Sequence, residues 1–280
     1  MFFILLWMTP AIPVRMREDP RIAPYVSIRE RDLTGGADGR FIVEGKVTLE
    51  TLIKRSRFEV ESLFLCETRL EPLAHILAYV PSGVSVYTAP QELMDQIVGF
   101  PIHRGVLACA RKGAGLGLRD LLSGASDTLL ILNQFSNHDN VGAAFRNAAA
   151  FGAAGVVLDS QSCDPLYRKA IRVSSGASLW LPFHHGGGGA AHVQALEAAG
   201  YTIWAMTPRL GAPSLYEQSV PKRLAILLGA EGPGLPPQLI DAATPVRIPM
   251  QADFDSVNVA TAGAIALSYV HAKRATLLPA

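Results

Sequence analysis

The sequence predicts an α/β protein in which two sheet-containing domains follow one another. Short apolar runs bounded by turn residues alternate with stretches whose apolar residues recur at helical spacing. With 280 residues, the chain has the length for two domains of ordinary size. A hydrophobic fraction of 49% and a charged fraction of 18% are typical of globular rather than disordered proteins.

The chain begins with a segment, residues 1–20, that we predict to be a flexible extension. Met1–Met8 is apolar, but it is only about a third of the length that spans a bilayer. It lacks a basic region, and Pro10 and Pro13 break it, so neither a signal peptide nor a membrane span is expected. Met16 is a plausible start. The arginine-rich stretch Arg15–Arg40 is either a solvated tail or a contact for RNA phosphates.

Residues 21–112 are predicted to form a small α/β domain. Its strands and helices alternate at Phe41–Val43, Gly45–Arg55, Val60–Cys66, Leu70–Tyr79, Val84–Tyr87, Gln91–Val98 and Val106–Ala110. A glycine-rich segment follows and invites comparison with a dinucleotide-binding loop. The match fails because Leu118 stands where the last glycine belongs. We therefore predict a flexible linker over residues 113–127.

The second domain is predicted over residues 128–280. Its strands are expected at Thr128–Leu132, Gly155–Leu158, Tyr201–Met206, Leu224–Leu228 and Val246–Ile248. Between the first two strands, small and apolar residues recur at helical spacing up to Gly152, which is expected to end that helix. Asn140 would be its N-cap.

Charge and cysteine content limit the classes of function. The net charge of +1 argues against a generally basic coat for nucleic acid, although it permits local patches. The three cysteines are far apart and show no C-x-x-C spacing, so neither a disulfide framework nor a metal site is expected. A reducing cytoplasm is the expected compartment.

Three motifs carry polar residues and glycines at strand ends, where ligands bind in open α/β sheets. The first is Asn137–Gly152, which contains Asn140 and Arg146. The second, Leu227–Leu235, follows a strand and has glycines that let backbone amides approach a ligand. The third, Ile248–Leu267, has a loop followed by a helix of small and apolar residues. Each motif alone is also compatible with an ordinary cap, turn or core helix.

Together and in this order, the motifs resemble the signature of the SpoU (TrmH) branch of the SPOUT superfamily of RNA 2′-O-ribose methyltransferases. The matching positions are Asn140, Gly142, Arg146, Ala148, Gly229, Glu231, Gly234, Leu235, Ile248–Met250, Ser256, Asn258 and Val259. Asp164–Gly176 resembles the family's segment between the first and second motifs. The chain departs from the family at Ala252, where glycine is usual, and at Val257, where leucine is usual.

The resemblance implies a SPOUT domain with a parallel sheet and a trefoil knot. It also implies a preceding ribosomal-protein-like substrate-binding domain, a homodimer, and S-adenosylmethionine as cofactor. By the resemblance, the cofactor-binding residues are Leu228, Gly229, Gly232, Ile248, Met250, Val257 and Asn258. The catalytic residues are Arg146, Asn140, Glu231, Ser256 and Asn258, with no metal ion.

The expected chemistry needs a ribose hydroxyl that is oriented and loses its proton. An arginine stays protonated, so we expect Arg146 to clamp a phosphate rather than act as a base, with Asn140 and Glu231 orienting it. For RNA binding we expect Arg168, Arg172 and Arg55, unless they only line solvated helix faces. The sequence does not distinguish ribosomal from transfer RNA, although the N-terminal domain favours ribosomal RNA.

Two other classes of function compete. The first is an RNA-binding protein of the same fold that has lost catalysis, which the retained polar residues argue against. The second is a nicotinamide-linked oxidoreductase, which the failed glycine pattern argues against.

Overall fold

The structure is a computed structural model that describes residues 10–28, 39–123, 128–252 and 254–276. The chain divides into two compact units, the first formed by Met1–Ala114 with Leu166–Trp180 and the second by Gly115–Pro165 with Leu181–Ala280. In chain order the strands and helices are β1 (Ala11–Pro13), β2 (Arg40–Glu44), α1 (Lys46–Lys54), β3 (Glu59–Cys66), α2 (Leu70–Leu77), β4 (Ser85–Ala89), α3 (Gln91–Val98), β5 (Val106–Arg111), α4 (Leu118–Ser123), β6 (Thr128–Leu132), α5 (His138–Ala150), β7 (Gly155–Leu158), α6 (Arg168–Val173), β8 (Phe183–His185), α7 (Gly189–Ala198), β9 (Thr202–Met206), β10 (Leu224–Leu228), α8 (Pro237–Asp241), β11 (Thr244–Val246) and α9 (Val259–Ala275).

The first unit has a mixed sheet of five strands in the order β1-β4-β3-β5-β2. Its core includes Tyr25, whose ring is fully buried and whose hydroxyl lies 2.8 Å from the Ser62 carbonyl oxygen. The same hydroxyl accepts the amide of Cys109 at 3.1 Å. Burial raises the pKa of Tyr25 well above its usual value.

The N-terminal part of this unit differs from the prediction of a flexible extension and a solvated tail. Ala11–Pro13 pairs with β4 in parallel, and Val14 is fully buried. Pro20–Tyr25 forms a 3-10 helix that buries Ile22 and Tyr25. Buried apolar side chains therefore hold these residues in place. In the sequence, the arginines between them obscured this apolar pattern. Arg29 and Arg31 lie outside the described residues.

The second unit is built on a parallel sheet of six strands in the order β11-β9-β10-β6-β7-β8. The predicted α/β class with a parallel sheet is confirmed. The central strands β6 and β10 are buried along their whole length, as expected for parallel strands covered on both faces. Because all six strands point the same way, their carboxyl ends share one edge of the sheet.

Three details of the second unit correct the predicted elements. Residues 118–123 of the predicted linker form helix α4, because Leu121 packs against Gly155 and Asp120 accepts the amide of Gly117. The last strand ends at Val246 rather than Ile248. It contains Pro245, which an edge strand tolerates. Strand β8 was not predicted.

Candidate active site

A hydrogen-bonded chain of three polar side chains joins the three sequence motifs in the second unit. Asn140 donates from Nδ2 to Glu231 Oε2 at 2.9 Å, and its Oδ1 accepts from Asn258 Nδ2 at 2.9 Å. The Asn258 Oδ1 in turn accepts the amides of Ala260 and Thr261, at 3.0 and 3.2 Å, so it caps α9. Asn140 is therefore fixed by a partner from each of the other two motifs.

The position of Asn140 corrects its predicted role as N-cap of α5. Asn137 is the N-cap, since its Oδ1 accepts the amide of Asp139 at 2.9 Å. Asn140 lies in the first turn of the helix and is buried. A buried asparagine needs partners for its amide group, and Glu231 and Asn258 supply them. The helix ends near Gly152, as predicted, which adopts a left-handed φ of 71°.

A cavity of about 590 Å³ lies at the carboxyl ends of β9 and β10. That volume is in the range of small-molecule sites. The walls include every residue that the sequence assigned to cofactor binding, namely Leu228, Gly229, Gly232, Ile248, Met250, Val257 and Asn258. Glu231 and Ser256 also line it. The structure thus brings the second and third motifs together around one cavity.

The loop after β10 forms a tight backbone cradle at this cavity. A Cβ atom on Gly229 would lie 2.4 Å from both the carbonyl carbon of Gly234 and the amide nitrogen of Leu235. The Gly234 amide donates to the Ala230 carbonyl at 3.1 Å, which closes the loop. Only glycine fits at position 229, because backbone atoms stand where a side chain would begin.

Arg146 lies apart from the cavity. It is exposed, and it takes no part in the hydrogen bonds and ion pairs found among the described residues. It follows Asn140 by six positions in the helix, which places the two side chains about 120° apart around the helix axis. Within one chain, Asn140 and Glu231 therefore do not orient Arg146, contrary to the expectation from the sequence.

The cavity also has a wall that sequence reasoning missed. Met206 at the end of β9 and Thr207–Arg209 after it line the cavity, together with residues of α8 and α9. Because β9 and β10 are neighbours in the sheet, their carboxyl ends lie side by side. The rule that ligands bind at such strand ends could have found this segment, but the order of the strands is not visible in the sequence.

The three predicted RNA-binding arginines all lie in the first unit. Arg168 forms an ion pair with Glu44, and its side chain is only 15% exposed. Arg172 Nη1 is 3.9 Å from the same carboxylate and is more exposed. The guanidinium of Arg55 lies 4.1 Å from the centre of the Trp180 ring. This geometry favours a structural role for Arg168 and leaves Arg172 and Arg55 on the surface.

Two absences bear on the class of site. Within the described ranges, no group of three histidine, cysteine or acidic side chains is arranged to hold a metal ion. Nor does any helix in those ranges combine the length and the apolar character needed to cross a bilayer.

Comparison with known proteins places these features in a family. Residues 127–268 match the sequence profile of the SpoU rRNA Methylase family. An uncharacterized tRNA/rRNA methyltransferase of Mycobacterium bovis is 36% identical over 257 residues, covering 89% of this chain and 88% of the relative. The 23S rRNA (guanosine-2′-O-)-methyltransferase RlmB of Acinetobacter baylyi is 29% identical, covering 80% and 93%.

Solved structures share the fold. The AdoMet-bound rRNA methyltransferase of Sinorhizobium meliloti superposes with a TM-score of 0.78 at 22% identity, covering 96% of this chain and 99% of the other. The SpoU methyltransferase AviRb of Streptomyces viridochromogenes gives 0.72 at 23%, covering 85% and 91%.

Proposed function

The chain belongs to the SpoU rRNA methylase family, and we propose that it methylates a ribose 2′-hydroxyl of structured RNA in the cytoplasm, with S-adenosylmethionine as methyl donor. The observation that carries this proposal is the single cavity lined by the second and third motifs, with Asn140 of the first motif bonded to both. Ribosomal RNA is the favoured substrate, because RlmB is named for 23S rRNA.

The cavity fits S-adenosylmethionine. The walls are mostly apolar, and the glycines of the loop after β10, Gly229, Gly232 and Gly234, line the cavity without side chains. Leu228, Ile248, Met250 and Val257 would hold the adenosine part. When bound, the cofactor supplies a methyl group activated by its sulfonium.

The polar chain from Glu231 through Asn140 to Asn258 would keep the acceptor side of the site in one geometry. Asn140 bonds through both its Nδ2 and its Oδ1, so the side chains of Glu231 and Asn258 cannot rotate freely. Ser256, beside Asn258 in the cavity wall, would contact the ribose. Arg146 would clamp the phosphate next to the target nucleotide and so orient the 2′-hydroxyl, since a guanidinium binds phosphate in bidentate fashion.

We place Arg146 of one subunit at the cavity of the other in a homodimer. Two observations support this arrangement: Arg146 is exposed and outside the cavity of its own chain, and it lies about 120° around α5 from the side that carries Asn140. A two-fold dimer would bring each arginine to the partner's cavity in the same way. The active site would then be incomplete in a monomer.

A mixing experiment tests the shared site. Arg146→Ala and Asn258→Ala each remove one half of it, so each homodimer should be inactive. In a randomly mixed dimer, one site combines the intact Arg146 with the intact Asn258, so a 1:1 mixture should recover about a quarter of wild-type activity. If both halves belong to one chain, mixing restores nothing. An Arg146→Lys variant with near wild-type turnover would count against the bidentate clamp.

The first unit would hold the RNA outside the active site. It includes the predicted substrate-binding domain, residues 21–112, together with Leu166–Trp180. Its surface carries Arg55 against Trp180 and Arg172 near Glu44, a combination of cations and an aromatic ring that suits RNA. In the second unit we propose the family's trefoil knot at the C-terminal end. The tight packing of α9 supports it, because a Cβ atom on Gly263 would come within 2.7 Å of Leu228.

The cofactor is tested by calorimetry of the full chain. We expect S-adenosylmethionine and S-adenosylhomocysteine to bind, and NAD to give no heat of binding. Absence of binding for both adenosyl ligands would overturn the proposed function. Binding of both, together with RNA binding but no methyl transfer, would favour the catalytically silent RNA-binding protein.

A further inference from the structure

One wall of the cavity carries a charge that neither the motifs nor the proposed chemistry use. Met206–Arg209, which begin at the last residue of β9, line the cavity. Among the described lining residues, Arg209 has the one formal positive charge and Glu231 the one formal negative charge. Glu231 is engaged by Asn140, as described above. Arg209 is therefore the cation available to an anionic group inside this cavity.

The backbone of Arg209 is fixed, whereas its side chain is only loosely held. The Thr207 amide donates to the Val246 carbonyl at 3.0 Å, and the Ala212 amide donates to the Arg209 carbonyl at the same distance. The guanidinium has one acidic neighbour among the described residues, Asp241, at 3.8 Å. Both side chains are more than half exposed, at 53% and 71%, so this pair is weak and a ligand carboxylate can replace it.

From these observations we propose that Arg209 binds the α-carboxylate of the cofactor's amino-acid part. The inference rests on the proposed function, and it adds a residue that determines how the amino-acid part is recognised. A guanidinium matches a carboxylate in planar, bidentate geometry. A phosphate of the RNA is the other anion that could reach the mouth of the cavity, and the experiment separates the two.

The test compares two ligands that differ only in the carboxylate, S-adenosylhomocysteine and its decarboxylated analogue, by calorimetry without RNA. Arg209→Gln should weaken S-adenosylhomocysteine about threefold to tenfold, which is the range for a partly exposed charge-assisted pair. Its affinity for the decarboxylated analogue should stay within about twofold of wild type, because that ligand offers no carboxylate to lose. Arg119→Gln removes the same charge from α4, outside the cavity, and should leave both affinities unchanged.

Asp241→Asn separates ligand binding from a structural role. If Arg209 binds the carboxylate, removal of its competing partner should leave S-adenosylhomocysteine binding unchanged or slightly tighter. If Arg209 acts only by holding Asp241, then Asp241→Asn should weaken both ligands as Arg209→Gln does, and the proposal is overturned.

The remaining outcomes are also decisive. Equal loss for both ligands in Arg209→Gln, or no loss for either, contradicts the carboxylate contact while the proposed function stands. A normal affinity for S-adenosylhomocysteine with a raised KM for RNA would assign Arg209 to the RNA phosphate instead. If wild-type protein binds neither ligand, the proposed function and this inference fail together.

Discussion

The substitution Gly229→Ala is the sharpest test of the cavity, because the atoms that would clash with the new side chain belong to the backbone. The new methyl group would lie 2.4 Å from two backbone atoms, of Gly234 and Leu235, about 1 Å closer than ordinary van der Waals contact allows. The loop must therefore open, and overpacking of this kind costs about 1–3 kcal/mol. For a domain of this size each kcal/mol lowers Tm by about 2–4 °C, so we expect a fall of about 2–12 °C.

The substitution should also weaken ligand binding. Since residues 229–235 line the cavity, their displacement should weaken S-adenosylhomocysteine at least about tenfold, or 1.4 kcal/mol. Calorimetry measures the affinity, and a thermal melt measures Tm.

Two glycines in nearby loops serve as controls for Gly229→Ala. Gly211 has open space around its Cβ position and no left-handed φ, so Gly211→Ala should change neither Tm nor affinity. Gly232 also has open space, but its φ is 93°, so Gly232→Ala measures backbone strain without the clash. If Gly229→Ala binds S-adenosylhomocysteine as wild type and melts within about 1 °C of it, the cradle described here is wrong.

Three further predictions concern other parts of the chain. Asn140→Ala should lower the rate of methyl transfer at least about tenfold, because two hydrogen bonds are lost. Asn140→Asp should lower it further, because a second carboxylate then faces Glu231. Equal rates for both variants and wild type in steady-state assays would contradict this. His192 is buried, and desolvation followed by the charge of His184 lowers its pKa. In the unfolded chain His192 binds a proton near pH 6.5, whereas in the folded chain it does so only at a lower pH. The stability of the protein should therefore fall as the pH drops below about 6.5, and thermal melts of His192→Gln should show a smaller fall. An identical pH dependence in the two proteins would refute this role of His192. Arg55→Gln and Arg172→Gln should each weaken RNA binding and reduce the number of ions released on binding by about one, as measured by titration at several salt concentrations. If the dependence of affinity on salt concentration is unchanged, these two arginines do not contact the RNA.

The sequence was sufficient to predict the class of fold and the parallel sheet. Strands β6 and β10 are unbroken apolar runs, and such runs have few alternatives in an α/β chain. It was insufficient for strand order, because β10 pairs with β6, which lies far earlier in the chain, as well as with β9. Without the strand order, the sequence did not indicate that Met206–Arg209 line the same cavity as the motifs.

The site was predictable in its residues and less so in its geometry. Every residue that the family resemblance assigned to the cofactor lines the cavity, which lies at strand ends, where ligands bind in open α/β sheets. The part of these residues in cofactor binding stays a prediction. The capping role given to Asn140 was wrong because an asparagine at a helix start also suits a buried bridge, and only tertiary contacts decide between them. The ion pair of Arg168 with Glu44 was hidden for the same reason: 124 residues separate the two partners.

Transfer of a methyl group to a ribose hydroxyl is the activity that we propose for this chain. The most direct test supplies radiolabelled S-adenosylmethionine and total RNA from cells that lack the protein, then digests the RNA to nucleosides. We predict label in a 2′-O-methyl nucleoside, with the labelled RNA of ribosomal size, and none with Asn258→Ala. Label on a base, or no label from a protein that binds the cofactor, would contradict the account.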